Sequence, residues 1–546
     1  MKLLSIISLA AASLAAATPI ELKYGNESIN RPLIHMTPNY GWMNDPNGLW
    51  YDSKEELWHY YFQYNPEDTV WGVPLYWGHS TSKNLTTWDQ QDIAIKPLSN
   101  DSGVFSGSMV VDYNNTSGFF DNSTDPRQRA VAIWTYNTPD SESQYVSYST
   151  DGGYTFINYG GNPALSINST QFRDPKVMWH EESQKWIMTV AKSQEFKIAI
   201  YSSPNLKNWT HESDFTKEGY LGFQYECPGL SRFSMPESSN GSYPTDSTDG
   251  TKWALFISIN PGSPQGGSST EYFIGDFNGT HFVPDFPYTN VIDLGKDFYA
   301  LQNFYNSPDG EVYGIGWASN WMYANFAPTD PWRSSTSLVR KFTLEELQAN
   351  PESKLLNIKS TPVIDYNALN FGETFRYQNE TFDTNNSLSY DLSKNFDGLV
   401  EFNLTYTVNG SAFGNTDFAD LSLYLIGNSD SSEYLRLGFV ANAGAFYIDR
   451  GNSNVDFVNE NPLFTTRMSV SNLPYRNIDS EVSEYKVYGI ADRNILELYF
   501  NDGSQVSTNT YFFTGGNFIT EVDLEVGTDG VYQIEEFQVR QMSLKL

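Results

Sequence analysis

Three short runs place a carboxylate among turn-forming residues and aromatics: Trp42-Met43-Asn44-Asp45-Pro46-Asn47-Gly48, Arg173-Asp174-Pro175 and Glu226-Cys227-Pro228. A proline one or two positions after the acid fixes the local φ and helps hold the carboxylate in place. One Asp-Pro is a common turn opening; the set points to chemistry. Two carboxyl groups in unlike surroundings can cleave a glycosidic bond, one attacking the anomeric carbon or activating water, the other delivering a proton to the leaving oxygen. The acid that attacks must be ionised and the one that protonates must hold its proton, so their surroundings have to separate the two proton affinities. Arg173 is expected to keep its neighbour Asp174 ionised, although an ordinary ion pair reads the same way in sequence. Asn44 is suited to donate to a hydroxyl or to Asp45. Cys227 has two open readings, a polar neighbour that tunes Glu226 or a buried, inert thiol. Trp71, Trp77 and Trp321 are fit either to stack on sugar faces or to fill an all-β core.

The three runs, in this order and at these separations, resemble the motifs of glycoside hydrolase family 32, and the likeness covers nearly the whole mature length. It extends to Trp71-Gly72, Trp77-Gly78-His79, Phe105-Ser106-Gly107-Ser108, Trp317-Ala318-Ser319-Asn320-Trp321, Asp449-Arg450-Gly451 and residues 491–503. The resemblance implies an all-β chain, a five-bladed β-propeller with a funnel-shaped site on its axis, followed by a C-terminal β-sandwich. By the same likeness Asp45 is the nucleophile, Glu226 the general acid/base, and Asp174 a group that binds fructose hydroxyls and stabilises the transition state. Trp42, Met43, Asn44, Gln63, Trp71, Phe105, Ser106, Arg173 and Trp321 match positions that shape a fructose pocket. The implied activity is that of a retaining, invertase-type β-fructofuranosidase acting on sucrose and related fructosides through a covalent fructosyl-enzyme intermediate. A fructosyltransferase or an inulinase-type exo-fructanase would use the same residues. An inverting glycosidase and a non-catalytic sugar-binding protein are the readings from other classes. The six His and one Cys show no metal-ligand spacing, and neither a metal nor a cofactor is expected.

A net charge of −32 excludes nucleic acid and anionic membrane surfaces as partners, because either demands a basic face. Lys2, the apolar run over residues 3–14 and Ala15-Ala16-Ala17 read as a secretory signal peptide, residues 1–17. About 14 Asn-x-Ser/Thr sites, among them Asn26, Asn84, Asn115, Asn208, Asn278 and Asn403, fit a secreted, N-glycosylated protein of the extracellular space or cell wall. With a single cysteine the chain can form no internal disulfide, so packing must stabilise it. A homodimer or larger homo-oligomer built through the sandwich is expected from the resemblance.

The elements that must position these residues are strands. At 546 residues two domains are expected, 18–362 and 363–546. Aromatics make up 16% of the chain, and short aromatic and β-branched runs alternate with Gly, Asn, Asp and Ser turns, as in residues 58–62, 130–134, 186–190 and 254–258. The pattern S-x-N-L-x-x-W occurs at Ser82 and again at Ser203, with a related turn from Ser149 between them. That spacing suggests a unit of about 60 residues and a propeller. Thr343 and Glu346 read as a capping box opening a short helix over 343–349. Residues 236–251 read as a loop, and longer alternating strands beyond about 370, such as 433–439, 485–490 and 495–500, as the sandwich.

Overall fold

The aromatic runs at 58–62, 130–134, 186–190 and 254–258 lie in Leu57–Asn65, Ala130–Asn137, Lys185–Lys192 and Thr251–Ile259, each the second strand of an antiparallel sheet. The computed structural model describes residues 30–545 apart from 237–249, 351–352, 379–381, 386, 394–396, 413–419, 428–431 and 472. The expected signal peptide and most of the expected loop at 236–251 lie outside the described residues.

Five sheets follow one another from Gly41 to Pro362, led by the strands Gly41–Asp52, Gly103–Val111, Phe172–His180, Tyr225–Ser234 and Tyr299–Asn303. These leading strands touch in cyclic order, with the fifth beside the first. Apolar clusters fill every space between consecutive sheets. Trp77, Val104 and Trp134 lie between the first and second, Ile133 and Met188 between the second and third. Ile198 and Ile257 lie between the third and fourth, Phe256 and Phe342 between the fourth and fifth, and Phe62 and Ile315 between the fifth and first. Sheets buried on both faces need apolar residues at nearly every position, which explains the continuous rather than alternating runs. The architecture is a five-bladed β-propeller.

The repeated S-x-N-L-x-x-W turns join the third and fourth strands of the first and third sheets. In both, the serine hydroxyl accepts a backbone N–H of the turn, and the asparagine Oδ1 accepts the N–H groups two and three residues on. Leu85 and Leu206 take φ of 61° and 62° and are buried. Ser149 and Asp151 build the corresponding turn of the second sheet with the same kind of bonds.

Residues 343–349 are not helical. They lie in Arg340–Asn350, a strand paired with Ser353–Pro362 in the register Thr343↔Lys359 and Glu346↔Leu356. Phe342 and Leu344, alternate residues of one face, are buried, and Glu346 bonds Lys354 Nζ at 3.1 Å instead of capping the backbone. Tertiary pairing thus overrides a local capping pattern. The one α-helix among the described residues, Val455–Glu460, is capped by the Asn454 side chain.

Beyond residue 369 two antiparallel sheets pack face to face as a β-sandwich, with Phe402, Leu404, Leu423, Leu437 and Val539 in its core. The sandwich docks on the propeller through buried charges. Arg340 donates to Asp293 at 2.8 Å, Glu497 at 3.0 Å and Thr508 at 2.6 Å, and Arg450 donates to Asp297 at 2.7 Å. Asp492 accepts the backbone N–H groups of Leu33, Ile34 and His35 and the His35 Nδ1 at 2.8 Å. His35 Nε2 stands 3.4 Å from Glu497, an ion-pair contact rather than a well-formed hydrogen bond. At Gly295 a Cβ would come within 2.2 Å of the Thr508 carbonyl, so only glycine lets the two backbones meet.

This interface makes stability depend on pH. Burial alone would lower the His35 imidazole, but the Asp492 bond, the Glu497 contact and the charges of both outweigh it and raise its pKa to about 9 from 6.5. Burial likewise opposes ionisation of Glu497, yet Arg340 and His35 bring it down to about 2 from 4.5. The imidazolium contribution is therefore complete below pH 6.5 and lost as pH rises through about 9, while that of Glu497 is complete above pH 4.5 and lost toward pH 2. The contribution of this interface to stability is expected to form a plateau between pH 4.5 and 6.5 and to fall on either side. His35→Gln should lower the plateau and flatten the alkaline fall. Calorimetry giving both proteins the same slope between pH 6.5 and 9 would contradict this.

Candidate active site

Each leading strand slips register near its start: between Met43 and Pro46, Phe105 and Gly107, Arg173 and Lys176, Glu226 and Gly229, and Tyr299 and Gln302. These are β-bulges, which bend a strand and re-aim its side chains. Pro46, Pro175 and Pro228 fall at three of them, where the broken ladder asks for no N–H donor. Asp174, Cys227 and Ala300 take φ of 65°, 45° and 53°, a strained region for residues with a Cβ. The bulges turn five strands toward one cavity of about 200 Å³, lined by Asn44, Asp45, Gln63, Trp71, Phe105, Arg173, Asp174, Gln224, Glu226, Asn260, Tyr299 and Trp321.

Asp45 is held by neutral donors. Ser106 Oγ donates to Oδ2 at 2.7 Å, Cys227 Sγ to the same oxygen at 3.3 Å, and Asn44 Nδ2 to Oδ1 at 3.1 Å. Behind these, Gln63 Nε2 donates to Ser106 Oγ at 2.5 Å and Trp42 Nε1 to Asn44 Oδ1 at 2.8 Å. Asp174 Oδ2 accepts the Cys227 N–H at 2.9 Å. Glu226 accepts Arg173 Nε at 3.0 Å on Oε1 and the Tyr299 hydroxyl on Oε2. Its side chain keeps 15% exposure at the cavity wall.

Burial pushes the Asp45 carboxyl above its ordinary range, the charge of Glu226 adds to that, and the bonds from Ser106, Asn44 and Cys227 pull the other way. Asp174 is pushed up strongly, by burial and then by Glu226, against the pull of Arg173. Arg173 pulls Asp174 toward the ionised form by its charge alone, against the larger effect of burial. The guanidinium bonds Glu142 at 3.1 Å, Gln171, Gln224 and Glu226, and makes no hydrogen bond to Asp174. Burial and the surrounding carboxylates likewise push the Cys227 thiol and the Tyr299 phenol up, so both stay neutral donors. For Cys227, of the two open readings, the structure shows a thiol bonded to Asp45.

Of the pocket residues expected from sequence, Asn44, Gln63, Trp71, Phe105, Arg173 and Trp321 line the cavity and Ser106 stands directly behind Asp45. Trp42 and Met43 do not reach it. Met43 is fully buried among Leu49, Tyr60 and Phe62, and Trp42 packs on Trp317 and Trp321 at ring separations of 5.8 and 5.7 Å. Met43 points into the core between sheets and Trp42, on the other face, packs beneath Trp321 and Asn44, while at the bulge Asn44 and Asp45 take the cavity side. Sequence reasoning missed Glu142, Gln224, Asn260 and Tyr299. Tyr299 stands just before the bulge of the fifth leading strand, as Glu226 does in the fourth. Glu142 and Asn260 carried no local signal.

Residues 35–356 match the family model described as the glycosyl hydrolases family 32 N-terminal domain, and residues 372–541 that of the family 32 C-terminal domain. The chain is 58% identical to Invertase 2 of Saccharomyces cerevisiae over 531 residues, 96% of this chain and 97% of that protein. It is 46% identical to the extracellular exo-inulinase of Meyerozyma guilliermondii over 95% of this chain and 97% of that protein. The β-fructofuranosidase of Schwanniomyces occidentalis, solved with fructosyl-erythritol, superposes with a TM-score of 0.88 at 44% identity, covering 95% of this chain and 99% of the other.

If the Ser106 hydroxyl stabilises the carboxylate form of Asp45, Ser106→Ala should move the Asp45 titration to higher pH. Infrared difference spectra of the carboxylate band, with Asp45→Asn as the reference, measure this. A midpoint that stays put or falls would show that the hydroxyl gives the charge no support.

Proposed function

The chain belongs to glycoside hydrolase family 32, and we propose that it is a retaining β-fructofuranosidase hydrolysing terminal non-reducing β-D-fructofuranosides such as sucrose. The observation that carries this reading is the meeting of Asp45, Asp174 and Glu226 on one small cavity, in a chain 58% identical to an invertase. A cavity of about 200 Å³ suits a single sugar ring.

In this reading an Asp45 oxygen attacks the anomeric carbon of the fructosyl unit, the bond to the leaving oxygen breaks, and Glu226 transfers its proton to that oxygen. Water then attacks the same carbon, giving its proton to Glu226 and freeing Asp45. Neutral donors around Asp45 support this role, because a cation there would neutralise the attacking charge. Asp174 binds ring hydroxyls and opposes the positive charge that builds on the ring. Arg173 and Tyr299 orient Glu226.

The wider assignment rests on the same footing. A boundary between a catalytic domain over 18–362 and a sandwich over 363–546 is supported by the gap between the two matched stretches, and a signal peptide over 1–17 by its sequence pattern alone. Secretion with N-glycosylation is supported by the sequons and by the likeness to an extracellular enzyme. Assembly as a homodimer or larger homo-oligomer through the sandwich is supported by exposed Phe371, Tyr475 and Ile478 on that domain. The likeness to an exo-inulinase makes longer fructans a second substrate class, and product analysis with sucrose and inulin tells hydrolysis from transfer to a sugar hydroxyl.

The leaving group separates the two catalytic carboxyls. Sucrose needs a proton donor, so Glu226→Ala should lose about 10² to 10⁴ in rate. Fructosyl fluoride departs largely unaided, so the same variant should still release a burst of fluoride, while Asp45→Ala should be inactive on both substrates. A fluoride burst from Asp45→Ala equal to that from Glu226→Ala would reverse the assignment.

A further inference from the structure

A fifth carboxyl stands behind the cavity, outside its lining. Glu271 lies in the strand Ser269–Phe277 of the fourth sheet and is fully buried. Its Oε2 accepts the backbone N–H of Tyr220 at 2.8 Å, while its Oε1 is buried without a well-formed bond, and the Thr289 side chain is the one other polar group that supports its charge. The strand residues opposite it, Ile257 and Val291, carry no charge. From the loop side the titratable groups are Tyr225 and, joined to it by a bond from the Tyr225 hydroxyl to its carbonyl, Glu218. Neither can compensate a carboxylate.

Tyr220 belongs to the segment 217–224, which connects the third sheet to the strand carrying Glu226. Gly219, at φ +72°, lets the backbone lie against the carboxyl, because a Cβ there would sit 2.4 Å from Glu271 Oε2. The segment is pinned further by Lys217 N–H to the Phe196 carbonyl at 3.0 Å and Phe223 N–H to the Pro261 carbonyl at 2.9 Å. It ends on Gln224, which lines the cavity and accepts Arg173 at 3.2 Å, and Arg173 in turn holds Glu226.

We propose that Glu271 is a positioning residue: through Tyr220 it fixes the 217–224 segment so that Gln224 meets Arg173 and Arg173 keeps Glu226 and the cavity wall in place. This rests on the reading of the cavity as the site of fructoside cleavage. Burial raises the Glu271 pKa to about 8 from 4.5, so the latch is a neutral acid at acidic and neutral pH. Above that, ionisation leaves a buried charge without a cation, which the segment relieves by opening.

The test is kcat/KM against pH on fructosyl fluoride, a substrate that does not need the Glu226 proton, at a temperature where every variant remains folded by circular dichroism. The natural chain should lose activity reversibly as pH rises through about 8. Glu271→Gln, neutral at every pH and still able to accept the Tyr220 N–H, should keep its acidic activity and lose that step. Glu271→Leu, with no acceptor, should be about tenfold slower on this substrate through the displaced wall residues Arg173 and Gln224, and about a hundredfold slower on sucrose, which also needs Glu226 in place, at all pH values and without the step. An unchanged alkaline step in Glu271→Gln, or undiminished activity in Glu271→Leu, would overturn the proposal. Failure of the fructosidase reading looks different, since the natural chain would then release no fluoride at any pH.

Discussion

Arg173 is bonded to Glu142 and Glu226, next in sequence to Asp174, and shares its cavity with Asp45. Three buried or half-buried carboxyls act on one guanidinium and Asp45 stands across the cavity, so the cluster carries more negative charge than its cation can balance. Such a cluster repels itself and resists burial. It persists because each acid comes from a different sheet, or from a strand packed within one, and the sheets leave no room for the acids to separate. Neutral donors do the remaining stabilising: Ser106, Asn44 and Cys227 at Asp45, Tyr299 at Glu226, and the Cys227 N–H at Asp174. The strained φ at Asp174 and Cys227 shows that the backbone yields where the cluster forms.

The sandwich reaches this cluster without lining the cavity. Its strand Gln505–Thr510 bonds the segment 293–297, with Leu294 N–H donating to the Val506 carbonyl at 2.7 Å and Asp297 N–H to the Thr508 carbonyl at 3.0 Å. That segment runs directly into Tyr299. Arg340 and Arg450 fix the same joint with buried ion pairs. Removing one partner of such a pair costs on the order of 3–5 kcal/mol, whereas replacing the whole pair by apolar groups often costs nothing. Their contribution is therefore geometric: they admit one docking of the sandwich, and with it one position for Tyr299.

The three acids that meet at the cavity were legible in the sequence, because Asp45, Asp174 and Glu226 sit in short motifs whose prolines fall at the bulges of the leading strands. The strands and the repeated turns were legible too, since Ser82, Asn84, Ser203 and Asn205 bond within their own turns. Long-range packing decided the rest. Residues 343–349 carry a helix-start pattern and form a strand, because their partner lies in Ser353–Pro362. Trp42 and Met43 belong to the same motif as Asp45 yet support the cavity from behind, because a bulge decides which side chains face the axis. Glu142, Asn260 and Glu271 have no local signature, and only the packing of sheets brings them to Arg173, to the cavity and to Tyr220. The sequence could state which acids are present; their proton affinities depend on burial and on neighbours far along the chain, and those exist only once the sheets are assembled.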